Sequence, residues 1–127
     1  MALANELVRV GVPPVTASAM GGTAAAVTAT SSSTLATAVE LTASVNRVTG
    51  ADGVRLPSIA QPGDSVIIVN DTGSTVKVWP PTSSAAIGVP GTSFGSAVAG
   101  ASYAHTTYAV VRYTCYGGGL WMVNKSA

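Results

Sequence analysis

The sequence predicts an all-β chain, an antiparallel β-sandwich or barrel of about eight short strands behind a short N-terminal helical arm. Two observations carry this. From Ala51 to Pro81, short β-branched runs alternate with Gly, Pro, Asn and Asp punctuation, the pattern of strands joined by tight turns. The chain also shows no βαβ alternation, so a parallel sheet is not expected. The organisation that follows is an arm over residues 1–22 and a β-domain over 23–127.

The arm is the one helical segment. Leu3, Leu7 and Val10 fall on one helical face, and Gly11 ends that piece. Pro13-Pro14 can open a second short helix with Val15, Ala19 and Met20 on its apolar side, and Gly21-Gly22 stops it. Helices this short are marginal alone in water, so they need a surface to pack on.

Thr23–Ser33 reads as an edge strand or an extended linker. In the next segment Leu35, Val39, Leu41 and Val45 share one parity, which predicts a half-buried strand. Gly50-Ala51-Asp52-Gly53 is a turn, and Val54-Arg55-Leu56 is a return strand closed by Pro57. Pro62-Gly63-Asp64 is a further turn signal. Val66–Val69 is continuously apolar, so both faces should be covered. Asn70–Ser74 reads as a hairpin loop into Thr75–Trp79, where Val76 and Val78 point one way and Lys77 and Trp79 the other. Pro80-Pro81 ends that strand. Thr82–Gly100 is loop-rich, with Ile87, Val89, Phe94 and Val98 as anchors. Tyr103–Tyr116 regains strand character. Gly117-Gly118-Gly119 is a turn, and Leu120–Val123 is the last strand.

Only 9% of the residues are charged and the net charge is +1, against about a quarter charged in an ordinary soluble domain. Such a surface has little self-repulsion and suits a subunit of an assembly. There is no basic patch with interleaved aromatics, so nucleic acid is not an expected partner. No apolar run approaches the roughly 20 residues of a membrane span, so no membrane is expected either. The single Cys115 has no intrachain partner, which points to synthesis in a reducing cytoplasm.

Catalysis needs groups that converge, and the sequence offers few. The lone His105 has no neighbouring Asp or Glu, and it reads as a surface or strand-end residue beside Tyr103 and Tyr108. Cys115, in an alternating strand, reads as a small buried hydrophobe. Asp52, Asp64 and Asp71 each sit at a turn, where a carboxylate can cap backbone N–H groups. No spacing suggests a metal site, a cofactor or a phosphate loop. Trp79 shares a face with Lys77 and is expected to be exposed or to meet a neighbour. Trp121 is expected in the core.

Three stretches carry a resemblance: Val48–Pro57 (Val-Thr-Gly-Ala-Asp-Gly-Val-Arg-Leu-Pro), Pro62-Gly63-Asp64-Ser65-Val66 with Val69-Asn70, and Val76-Lys77-Val78-Trp79-Pro80-Pro81. With Leu7–Pro14 and the closing Leu120-Trp121-Met122-Val123, this pattern resembles small virion structural proteins of tailed bacteriophages. The chain departs from the pattern after Pro81, where Val89-Pro90-Gly91 interrupts the loop. The resemblance implies a non-enzymatic protein on the capsid exterior, a homotrimer whose partner is the major capsid protein. Leu3, Leu7, Val10, Val15, Met20 and Trp79 are then the expected interface residues. The alternative it implies is a tail or head-fibre component in which Trp79 touches host glycan.

Overall fold

In the computed structural model the described residues are 23–89, 93, 95 and 97–125. They form ten strands: β1 Ala24–Ala29, β2 Val39–Glu40, β3 Val45–Gly50, β4 Gly53–Arg55, β5 Ser65–Asn70, β6 Val76–Trp79, β7 Ala86–Gly88, β8 Tyr103–His105, β9 Val110–Gly117 and β10 Leu120–Lys125. No helix occurs among the described residues, and the expected arm lies outside them.

The all-β expectation holds, and the antiparallel one does not. A six-stranded sheet has the order β1-β3-β5-β9-β10-β7 and a four-stranded sheet the order β2-β4-β6-β8. From β1 to β9 the chain alternates between the two sheets. Successive visits to one sheet therefore run the same way, and β1-β3-β5 and β2-β4-β6 are parallel sets. Among the described strands, antiparallel ladders enter only with β8, β9 and β10, beside an isolated antiparallel bridge between Thr30 and Gly53. Two anticipated hairpins are thereby corrected. The turns at Gly50–Gly53 and Asn70–Ser74 carry the chain from one sheet to the other. Of the expected hairpin turns, Gly117–Gly119 alone joins neighbouring strands: it links β9 to β10, with positive φ at all three glycines.

The strand expected over Leu35–Val45 is also corrected. Residues 31–37 form turns, and Thr34 accepts the backbone N–H of Thr37 and Ala38. Only Val39–Glu40 pairs there, before the chain crosses sheets to β3. Thr34 and Thr37 hydrogen-bond each other, and each hydroxyl accepts the other's backbone N–H, in place of a ladder.

The core draws on both sheets. Val48, Ile68, Val111, Tyr113, Trp121 and Val123 come from the larger, and Val54, Val76 and Val78 from the smaller, with Leu41 and Leu56 beside them. In β5, Val66 and Ile68 are buried and Ile67 and Val69 half-buried, so the strand is covered on one face rather than two. His105, expected at the surface or at a strand end, does end β8 but is fully buried there.

Candidate functional site

The two sheets differ in what lies over their outward faces. On the four-stranded sheet, Val54, Val76 and Val78 point into the core, so Gly53, Arg55, Lys77 and Trp79 point out. The segment between β1 and β2 lies over Gly53 and meets Arg55 and Trp79, while Lys77 stays exposed. Ser33 is buried over Gly53, where a Cβ would collide with its hydroxyl. The Trp79 indole N–H donates to Ser33 Oγ at 3.0 Å, and the Ser33 backbone N–H donates to Asp52 Oδ1 at 2.8 Å. Arg55 donates to the Leu35 carbonyl at 3.3 Å and lies 3.6 Å from Glu40. Lys77 lies 3.5 Å from Asp52. Trp79, expected to face a neighbour, is thus half-buried with its polar edge engaged inside the chain. Ser33 was not legible as its partner, because 46 residues separate them.

The outward face of the six-stranded sheet carries Ala24 and Ala26 of β1, Val45 and Arg47 of β3, Ile67 and Val69 of β5, Val110, Arg112 and Tyr116 of β9, and Met122 and Asn124 of β10. Register places them in rows. One row runs Ala24, Val45, Ile67, Arg112, Asn124; the next runs Ala26, Arg47, Val69, Val110. Val45 is 36% exposed, Val110 57% and Tyr116 66%. A shallow hollow of about 250 Å³ lies between Ile67, Val110, Arg112 and Asn124. Arg47 is held by Asp71, with Nε 2.7 Å from Oδ2. The face therefore sets apolar side chains around two arginines, Arg47 paired with Asp71 and Arg112 between Ile67 and Asn124. Exposed aromatic, aliphatic and Arg side chains together are typical of protein interface centres.

At one end of this face two loops are fastened together. The buried Asn70 side-chain amide donates to the carbonyls of Ser74, His105 and Thr106 at 3.0–3.2 Å. Its Oδ1 accepts from Thr72 N–H and Oγ1. The Thr107 hydroxyl donates to the Thr72 carbonyl. On this braced pair stands Tyr108, 69% exposed with a φ of 57°. That conformation is costly for a bulky residue, so the ring is presented on a backbone fixed by its surroundings. The sequence marks Asn70–Ser74 as a hairpin loop, and the Asn70 contacts that span some 35 residues leave no local signal.

The titratable residues singled out from the sequence are accounted for within the fold. Asp52 and Asp64 accept backbone N–H groups of Ser33 and Gln61, while Asp71 pairs with Arg47. The Ser33 N–H and hydroxyl, with Lys77 beside them, hold the Asp52 carboxyl below the usual carboxylate range. Cys115 is buried as expected, and burial pushes its thiol up, disfavouring the reactive thiolate. It borders a second cleft of about 250 Å³, lined by Pro57, Pro62, Pro81, Gly118 and Trp121. Among the described residues no three His, Cys, Asp or Glu side chains gather as a metal site would require. Leu3, Leu7, Val10, Val15 and Met20 lie outside the described residues.

No protein-family model matches the chain, and neither the curated proteins nor the solved structures contain a significant match to it.

Proposed function

We propose that the chain is a non-enzymatic virion structural protein of a tailed bacteriophage, a β-sandwich that decorates or cements the capsid exterior as a homotrimer. The observation that carries the reading is the contrast between the two sheets. One outward face is partly covered by the chain's own Ser33 segment, and the other displays Val45, Ile67, Val110, Arg112 and Tyr116. A face of this composition suits a protein surface rather than water. The sparsely charged sequence and the resemblance over Val48–Pro81 support the same reading.

The mechanism is adhesion by many modest contacts. Each subunit adds apolar and backbone contacts to neighbouring capsomers, and linkage of three subunits raises the effective concentration of every contact. The residues assigned to it are the face side chains, with Leu3, Leu7, Val10, Val15 and Met20 tying subunit to subunit or to capsid. The fibre alternative with Trp79 as a glycan platform draws no support from an indole whose N–H is taken by Ser33.

The test is co-sedimentation of the purified protein with particles built from the major capsid protein of the same phage. Saturable binding at a fixed ratio per capsomer supports the reading. Absence of binding to mature and immature particles alike removes it.

A further inference from the structure

We infer that the displayed face of the six-stranded sheet is the seat for residues 3–15 of a neighbouring copy, with Glu6 of that copy set on Arg112. The inference rests on the oligomeric reading above and names the contact that would make the oligomer.

The first argument is where the chain enters the sheet. Thr23 precedes β1, at the edge of the six-stranded sheet, and pairs with Ser44 before β3. Thr23 N–H donates to Ser44 Oγ at 3.0 Å, Ser44 N–H to Thr23 Oγ1 at 3.0 Å, and Ser44 Oγ–H to the Thr23 carbonyl at 2.8 Å. The Val45 N–H donates to the same carbonyl at 3.0 Å. These bonds extend the β1–β3 ladder by one residue, so the backbone at Thr23 lies in the plane of the sheet. The segment before Thr23 is thus tethered at the edge strand of the same sheet that carries the displayed face.

The second is reach. The 22 residues before Thr23 span at most about 70–80 Å when extended. Five inter-strand steps across a six-stranded sheet come to about 24 Å. The segment can therefore leave one subunit and still cross the face of the next.

The third is chemical fit. Leu3, Leu7, Val8, Val10, Val12 and Val15 supply apolar side chains, and Glu6 and Arg9 are the only charged side chains before Thr23. Elsewhere in the receiving copy, Arg47 pairs with Asp71 on the same sheet, and Arg55 and Lys77 of the other sheet pair with Glu40 and Asp52. Arg112 takes part in no ion pair among the described residues, and the six strands around it hold no Asp or Glu. It stands beside Ile67 and Asn124 in the middle of the face. A carboxylate arriving among apolar side chains is what this arginine lacks, and Glu6 is the one the segment carries. Donor segment and receiving face are different surfaces, so the contact links copies by reciprocal exchange in a dimer or head to tail in a ring.

Charge reversal in the full chain tests this. Arg112→Glu should weaken self-association tenfold or more by sedimentation, and adding Glu6→Arg to the same chain should restore it. Recovery by the double variant separates a Glu6–Arg112 contact from a folding defect. In parallel, Leu7→Cys and Val110→Cys chains carrying different tags should form a disulfide between tags when co-expressed. An unchanged mass for Arg112→Glu, no rescue, or a disulfide that forms only within a single doubly substituted chain would overturn the proposal and leave the oligomer standing. A wild-type chain that is monomeric at every concentration would overturn the oligomeric reading with it.

Discussion

Tyr113 and His105 hold each other in the core: the Tyr113 hydroxyl lies 2.7 Å from His105 Nδ1, and both side chains are fully buried. His105 Nε2 lies 2.8 Å from the Ala109 carbonyl, which can only accept, so Nε2 carries the proton and Nδ1 accepts from Tyr113. The two rings stack at 5.9 Å, and Tyr103 meets Tyr113 edge-on at 6.0 Å. The pair joins β8 of one sheet to β9 of the other. Tyr113→Phe keeps the ring and strands a buried acceptor, which costs about 1–3 kcal/mol. Urea denaturation should show the midpoint falling with little change in slope.

Gly53 is the residue on which the Ser33 cover depends. A Cβ there would overlap the Ser33 hydroxyl and come within 3.1 Å of the Lys77 carbonyl. Gly53→Ala should destabilise the fold by about 1–3 kcal/mol and expose Trp79. A red shift of Trp79 fluorescence, read in a Trp121→Phe background, would report it. Unchanged emission and stability would mean that Ser33 does not cover Gly53 and Trp79.

Strand positions and facing were legible where a short pattern decides them. Val76 and Val78 turned inward and Lys77 outward as their alternation required, and Gly117–Gly119 made its turn. Pairing was not legible, because local turn chemistry says that the chain bends and not which sheet it enters next. Gly50–Gly53 and Asn70–Ser74 look like hairpin turns and act as crossings between sheets. The site suffered from the same limit. Trp79 was singled out for its parity with Lys77, yet a hydroxyl 46 residues away decides its exposure. The displayed face is assembled from β3, β5 and β9, whose order in the sheet no short window of sequence contains.

Asp52 gives the fold a predictable acid response. Its folded pKa lies below the unfolded value of about 3.9, chiefly through the backbone N–H and hydroxyl of Ser33. A depressed folded pKa contributes stability that is fully present above the unfolded value. That contribution is lost as pH falls through the folded one. Asp52→Asn, which retains an acceptor for Ser33 N–H, should therefore flatten the loss of thermal stability below about pH 4. A titration of Tm against pH that matches wild type would show that the Ser33–Asp52 contact does not carry this effect.

Asn70 braces the loops that present Tyr108. Asn70→Ala removes an amide whose two N–H groups are shared among the carbonyls of Ser74, His105 and Thr106. The expected cost is about 2–4 kcal/mol, at the upper end for one side chain. Amide hydrogen exchange should speed up over residues 71–74 and 106–109 well before the β9–β10 hairpin opens.

The central claim is that the outward face of the six-stranded sheet is a surface for assembly, and Val110→Asp reads it most directly. Val110 is 57% exposed, so the change leaves the core intact. With circular dichroism and Tm unchanged, co-sedimentation with capsids and self-association should both fall at least tenfold. Binding and mass equal to wild type in that folded variant would contradict the claim.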